Sequence, residues 1–177
     1  MTRMRQQGLT LLELLITLVI LAILISVAIP GFSNLRQRDQ VHTSALDFYS
    51  AIQLARSYAI SHNRRVTMMR TGHWHNGWLI YEDSNNNGKH DNTEPVLWVN
   101  HGLGRVQVKS NKFVAKYISF IGSGEARMHS SHSEGAFQAG TFHFCHPDLS
   151  SMAFQLTLSK GGRVNMQKIT ENPCQSN

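Results

Sequence analysis

The segment Asp83-Ser84-Asn85-Asn86-Asn87-Gly88, continued by Asp91 and Glu94, places side-chain oxygens at positions 1, 3, 5, 9 and 12 of a loop, with glycine at 6. That spacing wraps oxygens around Ca²⁺, while the glycine permits the sharp turn. The flanks Gly77-Trp78-Leu79-Ile80-Tyr81 and Pro95-Val96-Leu97-Trp98-Val99 read as strands, however, and a helix-loop-helix calcium site needs helices on both sides. Asn-Asn-Asn-Gly is also ordinary turn chemistry. A structural loop is therefore expected, and no metal or cofactor is assigned.

Cys145 and Cys174 are the only cysteines, with His143 and His146 on either side of Cys145. Metal ligation and a disulfide are both open at this point. His143 lies in Phe142-His143-Phe144, where strand alternation already explains it as an outward-facing residue. Arg105, Lys109, Lys112 and Lys116 fall within a stretch lacking acidic residues, and Lys160, Arg163 and Lys168 form a second basic group around Gly161-Gly162. Such groups can neutralise phosphates and bind nucleic acid in a salt-sensitive way. They serve equally as solvated faces or as contacts to acidic neighbours and anionic lipid.

Glu13 is the only ionisable residue between Leu9 and Ile29, a run spanning roughly 31 Å as a helix, close to the thickness of a bilayer core. The run is too long for the apolar core of a secretory signal peptide and ends in Ile29-Pro30-Gly31 rather than at a small-residue cleavage site. A retained membrane helix is expected. Arg3 and Arg5 before it nearly balance Arg36 and Arg38 after it, so charge does not orient it. A carboxylate at membrane depth costs about 2.5–3.5 kcal/mol. A cut between Gly8 and Leu9 would create an α-amino group four residues before Glu13, on the same helix face, and that cation could neutralise it. A glutamate reaching the interface from the first helical turn is the alternative.

Residues 1–31, MTRMRQQG followed by LTLLELLITLVILAILISVAIPG, resemble the prepilin leader and N-terminal helix of type IV pilins and type II secretion pseudopilins. The resemblance implies cleavage after Gly8 by a cytoplasmic prepilin peptidase that also methylates the new N-terminus. Leu9 stands where phenylalanine is usual, so methylated leucine is the expected terminus. It further implies that Glu13 aids docking into a filament, that the helix sits in the bacterial inner membrane, and that the head is periplasmic. Two cysteines in a periplasmic domain are then expected to pair, Cys145 with Cys174, contributing roughly 3–4 kcal/mol by closing the intervening loop. The segment GWLIYEDSNNNGKHDNTEPVL resembles a strand-loop-strand feature of the GspH/FimT subgroup. FimT-type minor pilins bind DNA through Gly-Arg-x-Arg, and Gly162-Arg163-Val164-Asn165 lacks the second arginine. DNA is thus a secondary expectation as partner, through Lys160, Arg163 and Lys168 or Arg105, Lys109 and Lys112.

The elements that must position these residues follow from periodicity. The chain has 177 residues with a formal net charge of +6 and 41% hydrophobic residues. What remains after the apolar run suffices for one ordinary domain. Val41, Ala45, Phe48, Ile52, Ala55 and Ala59 recur by three and four, an apolar stripe that continues the helix to about His62, with a bend near Pro30. Beyond Asn63 the period becomes two. Val66–Met69, Trp78–Tyr81, Val96–Val99, Val106–Val108, Ile118–Phe120, Thr141–Cys145 and Met152–Leu158 read as strands separated by turn residues. One long helix followed by strands means an α+β fold with a pilin-like helix packed on an antiparallel sheet. The organisation expected is a leader at 1–8, a membrane and filament-core helix at 9–29, and a head at 30–177.

No G-x-S-x-G, Walker loop or H-E-x-x-H occurs, so no enzyme is expected. The chain reads as a minor pilin or pseudopilin. Its expected partners are other pilins, the prepilin peptidase, the membrane and an inner-membrane assembly platform.

Overall fold

The computed structural model describes residues 10–130 and 135–174, with the side chains of 27–31 outside the description. Gly8 and Leu9 therefore lie outside the described residues. The chain divides between Arg36 and Gln37 into two compact units. The helix α1 (Leu11–His62) contributes residues to both.

In the second unit the stripe from Val41 to Ala59 is the helix face that the head buries: Val41, Ala45, Phe48, Ile52, Ala55 and Ala59 are all fully inaccessible. The alanines let the helix approach the strands closely, and Phe48 and Ile52 supply the apolar volume. The helix stops where Asn63 takes a left-handed φ of 49°, and the Arg64 N–H reaches back to the Ala59 carbonyl at 3.1 Å. Asparagine tolerates that conformation, so this is a C-terminal cap written locally.

Eight strands follow: β1 (Val66–Arg70), β2 (Trp78–Glu82), β3 (Val96–Asn100), β4 (Gln107–Ser110), β5 (Tyr117–Phe120), β6 (Gly140–Cys145), β7 (Ala153–Leu158) and β8 (Val164–Ile169). They form two four-stranded antiparallel sheets, ordered β3-β2-β1-β5 and β4-β6-β7-β8. Alternation along a strand does not say which sheet it joins. β8 was not anticipated. Its apolar residues Val164, Met166 and Ile169 are only half-buried, and Asn165, Gln167 and Lys168 are exposed, so its alternating signal is weak. It is an edge strand, where a lysine discourages further strand pairing.

Phe48 connects the sheets. Its ring lies 5.0 Å from Trp78 on β2 and 5.2 Å from Trp74, and 4.9 and 5.2 Å from Phe142 and Phe144 on β6. Edge-to-face and tilted arrangements of this kind add to the burial of the rings themselves. Trp74 is held in turn by its indole N–H, which donates to the Val114 carbonyl at 2.9 Å.

Candidate functional site

Three groups of residues singled out by sequence can be followed in space: the start of α1, the 83–94 loop, and the cysteines with the basic clusters. At the start of α1, Thr10 Oγ1 accepts the backbone N–H of Glu13 at 3.2 Å. Thr10-Leu11-Leu12-Glu13 matches a helix-capping box, in which the acid three residues after the cap favours the positive end of the helix dipole. Glu13 is thus a first-turn acid. Leu11 is 82% exposed, and Leu12, Leu15, Val19 and Ile23 also expose at least half of their area. Among the described residues no helix is long and apolar enough to cross a membrane. Of the run Leu9–Ile29, side chains are described from Thr10 to Ser26.

The 83–94 loop joins two paired strands. Its base is closed by Glu82 N–H to the Pro95 carbonyl (3.0 Å) and Asp83 N–H to the Arg65 carbonyl (2.9 Å). Asp83, 1% exposed, accepts the N–H groups of Asn87 at 3.0 Å and Gly88 at 3.1 Å. Glu94, 6% exposed, accepts those of Ser84 at 2.9 Å and Asp91 at 3.0 Å. Asp91 Oδ2 takes the amides of Asn85 and Asn87 at 2.7 and 2.8 Å. The donors from Asn85 first, then Asn87, hold the Asp91 carboxyl below its ordinary range. Burial, reinforced by Asp83 and Glu94, pushes the Tyr81 phenol well above its ordinary value. The carboxylates are therefore engaged with the loop's own donors. Among the described residues no group of three or more His, Cys, Asp or Glu side chains is arranged to hold a metal ion.

Sequence reasoning missed two residues that fix this loop. Arg65, buried just before β1, donates from Nε to Asn86 Oδ1 at 2.9 Å and from Nη1 to Ser119 Oγ at 3.0 Å. It ties the loop to β5. His129 lies against Tyr117, ring centroids 4.2 Å apart, with Nδ1 3.1 Å from Asp83 Oδ2. Neither lies near the loop in sequence, so local spacing held no signal for them.

Cys145 and Cys174 form a disulfide across 29 residues. The tail beside it is secured by Asn172, whose amide donates to the Leu149 carbonyl, and by Lys109 Nζ donating to the Pro173 carbonyl at 3.2 Å. The basic residues fall into separate groups. Arg105 pairs with Asp148 at 3.1 Å, and Lys112 lies over the Phe113 ring. Strand registers place Lys109 in a row with His143, Gln155 and Gln167, and Lys168 in the next row with Phe154 and Phe144. Successive rows leave opposite faces of a sheet, so Lys109 and Lys168 do not share one. Lys160 and Arg163 sit on the β7–β8 turn, whose Gly161 carbonyl receives Arg56 Nη2 at 3.5 Å.

A long N-terminal helix with an exposed apolar start, followed by an antiparallel head, defines a pilin-like subunit. The model of the prokaryotic N-terminal methylation motif matches residues 3–29, and that of the type II transport protein GspH matches residues 44–162. The chain belongs to the GspH family of pilin-like proteins. Its fold is similar to that of the type IV minor pilin FimU of Pseudomonas aeruginosa, at 19% identity and a TM-score of 0.57 over 73% of this chain and 90% of that one. A second crystal form of that protein gives a TM-score of 0.54, also at 19% identity, over 71% and 91% of the two chains. The minor pseudopilin EPSH of the Vibrio cholerae type II secretion system aligns at 13% identity and a TM-score of 0.48, over 76% and 98%. No curated protein sequence matches this chain.

Proposed function

We propose that the chain is a minor subunit of a type IV pilus or type II secretion pseudopilus, working in filament initiation and assembly. A prepilin peptidase cuts after Gly8 and methylates Leu9. The helix from Leu9 to Ile29 holds the subunit in the inner membrane with its head in the periplasm, and an assembly platform then draws it into the filament. The observation that carries this reading is the exposed apolar surface from Leu11 to Ile25, interrupted only by Glu13 among ionisable residues. Lipid or neighbouring helices would cover such a surface, and lateral helix packing would supply most of the filament's cohesion. Glu13 sets register by meeting the α-amino group of a neighbouring subunit. The energy for assembly comes from a separate ATPase. DNA stays the alternative partner, through Lys160 and Arg163, which share the β7–β8 turn that Arg56 also reaches, while Lys109 and Lys168 lie on opposite faces of their sheet.

Mass spectrometry of filaments sheared from native cells tests the proposal. A low-abundance peptide beginning at N-methyl-Leu9 supports a pilus subunit. Processed protein confined to the inner membrane favours a secretion pseudopilus. An uncleaved Met1 terminus in peptidase-competent cells overturns both.

A further inference from the structure

The four sheet edges are not equally protected. β4 carries Lys109 and β8 carries Lys168, and an edge lysine discourages pairing with another chain. β5 is covered where Ala126 bridges Phe120 and the Arg127 N–H bonds the Ser119 carbonyl at 2.9 Å. β3, Val96-Leu97-Trp98-Val99-Asn100, has neither device; its register shifts at Leu97, between the pairs Ile80–Trp98 and Tyr81–Val96, so its regular edge is Trp98–Asn100. Its Val96, Trp98 and Val99 are all exposed, Trp98 by 52%. Trp98 pairs with Ile80 and shares the face of the sheet that buries Ile80 and Trp78, but it lies beyond the cover that those residues receive.

Between β3 and α1 runs a groove of about 420 Å³ lined by Asp47, Ser50, Leu54, Trp78, Trp98 and Asn100. Two of its features are incomplete. Asp47 is the only charged group in the lining and is exposed. Trp98 and Leu54 present apolar surface to solvent. A cationic side chain would satisfy the first and an apolar side chain the second. A polypeptide offers both, and the unpaired N–H and C=O groups of β3 would pair with its backbone.

We infer that the groove between α1 and β3 receives an extended segment of another protein, which adds a strand to β3, places a lysine or arginine at Asp47 and packs an apolar residue on Trp98. Charge complementarity selects the segment, and the tryptophan is the anchor. A glycan would also stack on Trp98 and bond to Asn100 and Ser50. It would leave the β3 edge unpaired and give Asp47 no counter-charge, so the peptide is the better fit.

The test places the photo-crosslinker p-benzoylphenylalanine at Ser50, an exposed position in the groove lining, in the full-length chain in native cells, leaving Trp98 in place, and maps the attachment point by mass spectrometry. The expected product is a polypeptide segment containing lysine or arginine, outside any N-terminal apolar helix. Its yield falls about tenfold when Asp47, whose exposure spares the fold, is changed by Asp47→Lys. Attachment to glycan, to lipid or to an apolar helix overturns the inference. So does a yield unchanged by Asp47→Lys, or no attachment while the head remains folded. Detection of N-methyl-Leu9 in the same cells reports filament processing separately.

Discussion

Nδ1 of His129 stands 3.1 Å from Oδ2 of Asp83, joining the segment after β5 to the first residue of the 83–94 loop. The ring leaves no room at Gly88, where an added Cβ would lie 2.2 Å from His129 Cδ2 on a backbone with φ +73°. Gly88→Ala is therefore expected to destabilise the head by about 1–3 kcal/mol through strain and overlap. Adding His129→Ala should recover the overlap and leave the backbone part, roughly 1–2 kcal/mol. Denaturant unfolding of the four proteins of this double-mutant cycle measures both.

The loop needs no calcium to satisfy its carboxylates. Millimolar Ca²⁺ is expected to leave the thermal midpoint unchanged. Asp83→Asn should lower stability by about 1–3 kcal/mol, because the acceptor of two loop N–H groups is weakened. A midpoint that rises with calcium, and no longer does so in Asp83→Asn, would show the loop to be a cation site instead.

Asp91 gives the loop a pH dependence whose sign is fixed. Its carboxyl is held below the ordinary value of 3.8, so the stability it contributes is complete above that value and disappears as pH falls through the lowered one. The difference in thermal midpoint between the wild type and Asp91→Ala should be constant from pH 7 to about pH 5 and shrink toward pH 2.

Removing the disulfide with Cys145→Ser and Cys174→Ser together should cost about 3–4 kcal/mol on the chain-entropy model. Amide exchange should quicken first between Ile169 and Cys174, where the tail would still be held by Asn172 and Lys109 but no longer by a covalent bond. The start of β6 should keep its protection, being paired with both β4 and β7.

For filament assembly, Glu13→Ala is expected to preserve membrane insertion and reduce incorporation several-fold, with Glu13→Gln close to it. Helicity should change little, because Thr10 still caps the same N–H. Quantitative blotting of membrane and sheared-filament fractions separates the two effects, and unchanged incorporation would refute the register role.

Local pattern determined a large part of this protein. The stripe from Val41 to Ala59 is legible because a helix brings every third or fourth residue to one face, and the structure buries all six of its members. Seven strands and the turn character of Asp83–Glu94 follow from similarly short-range rules. The Cys145–Cys174 pairing was legible through the resemblance of the N-terminus, since two cysteines in an oxidising compartment have one way to pair. Tertiary structure alone decided the rest. The division into two sheets depends on which strand edges meet, with Phe48 packed against aromatic residues of both. β8 is a strand because β7 pairs with it, despite its weak pattern. Arg65 and His129 reach the loop from distant points in the chain, and Lys109 and Lys168 are separated by the pleat although both lie in basic clusters. Contacts across long loops are set by packing and by the need to satisfy buried polar groups. Neither leaves a period in the sequence to read.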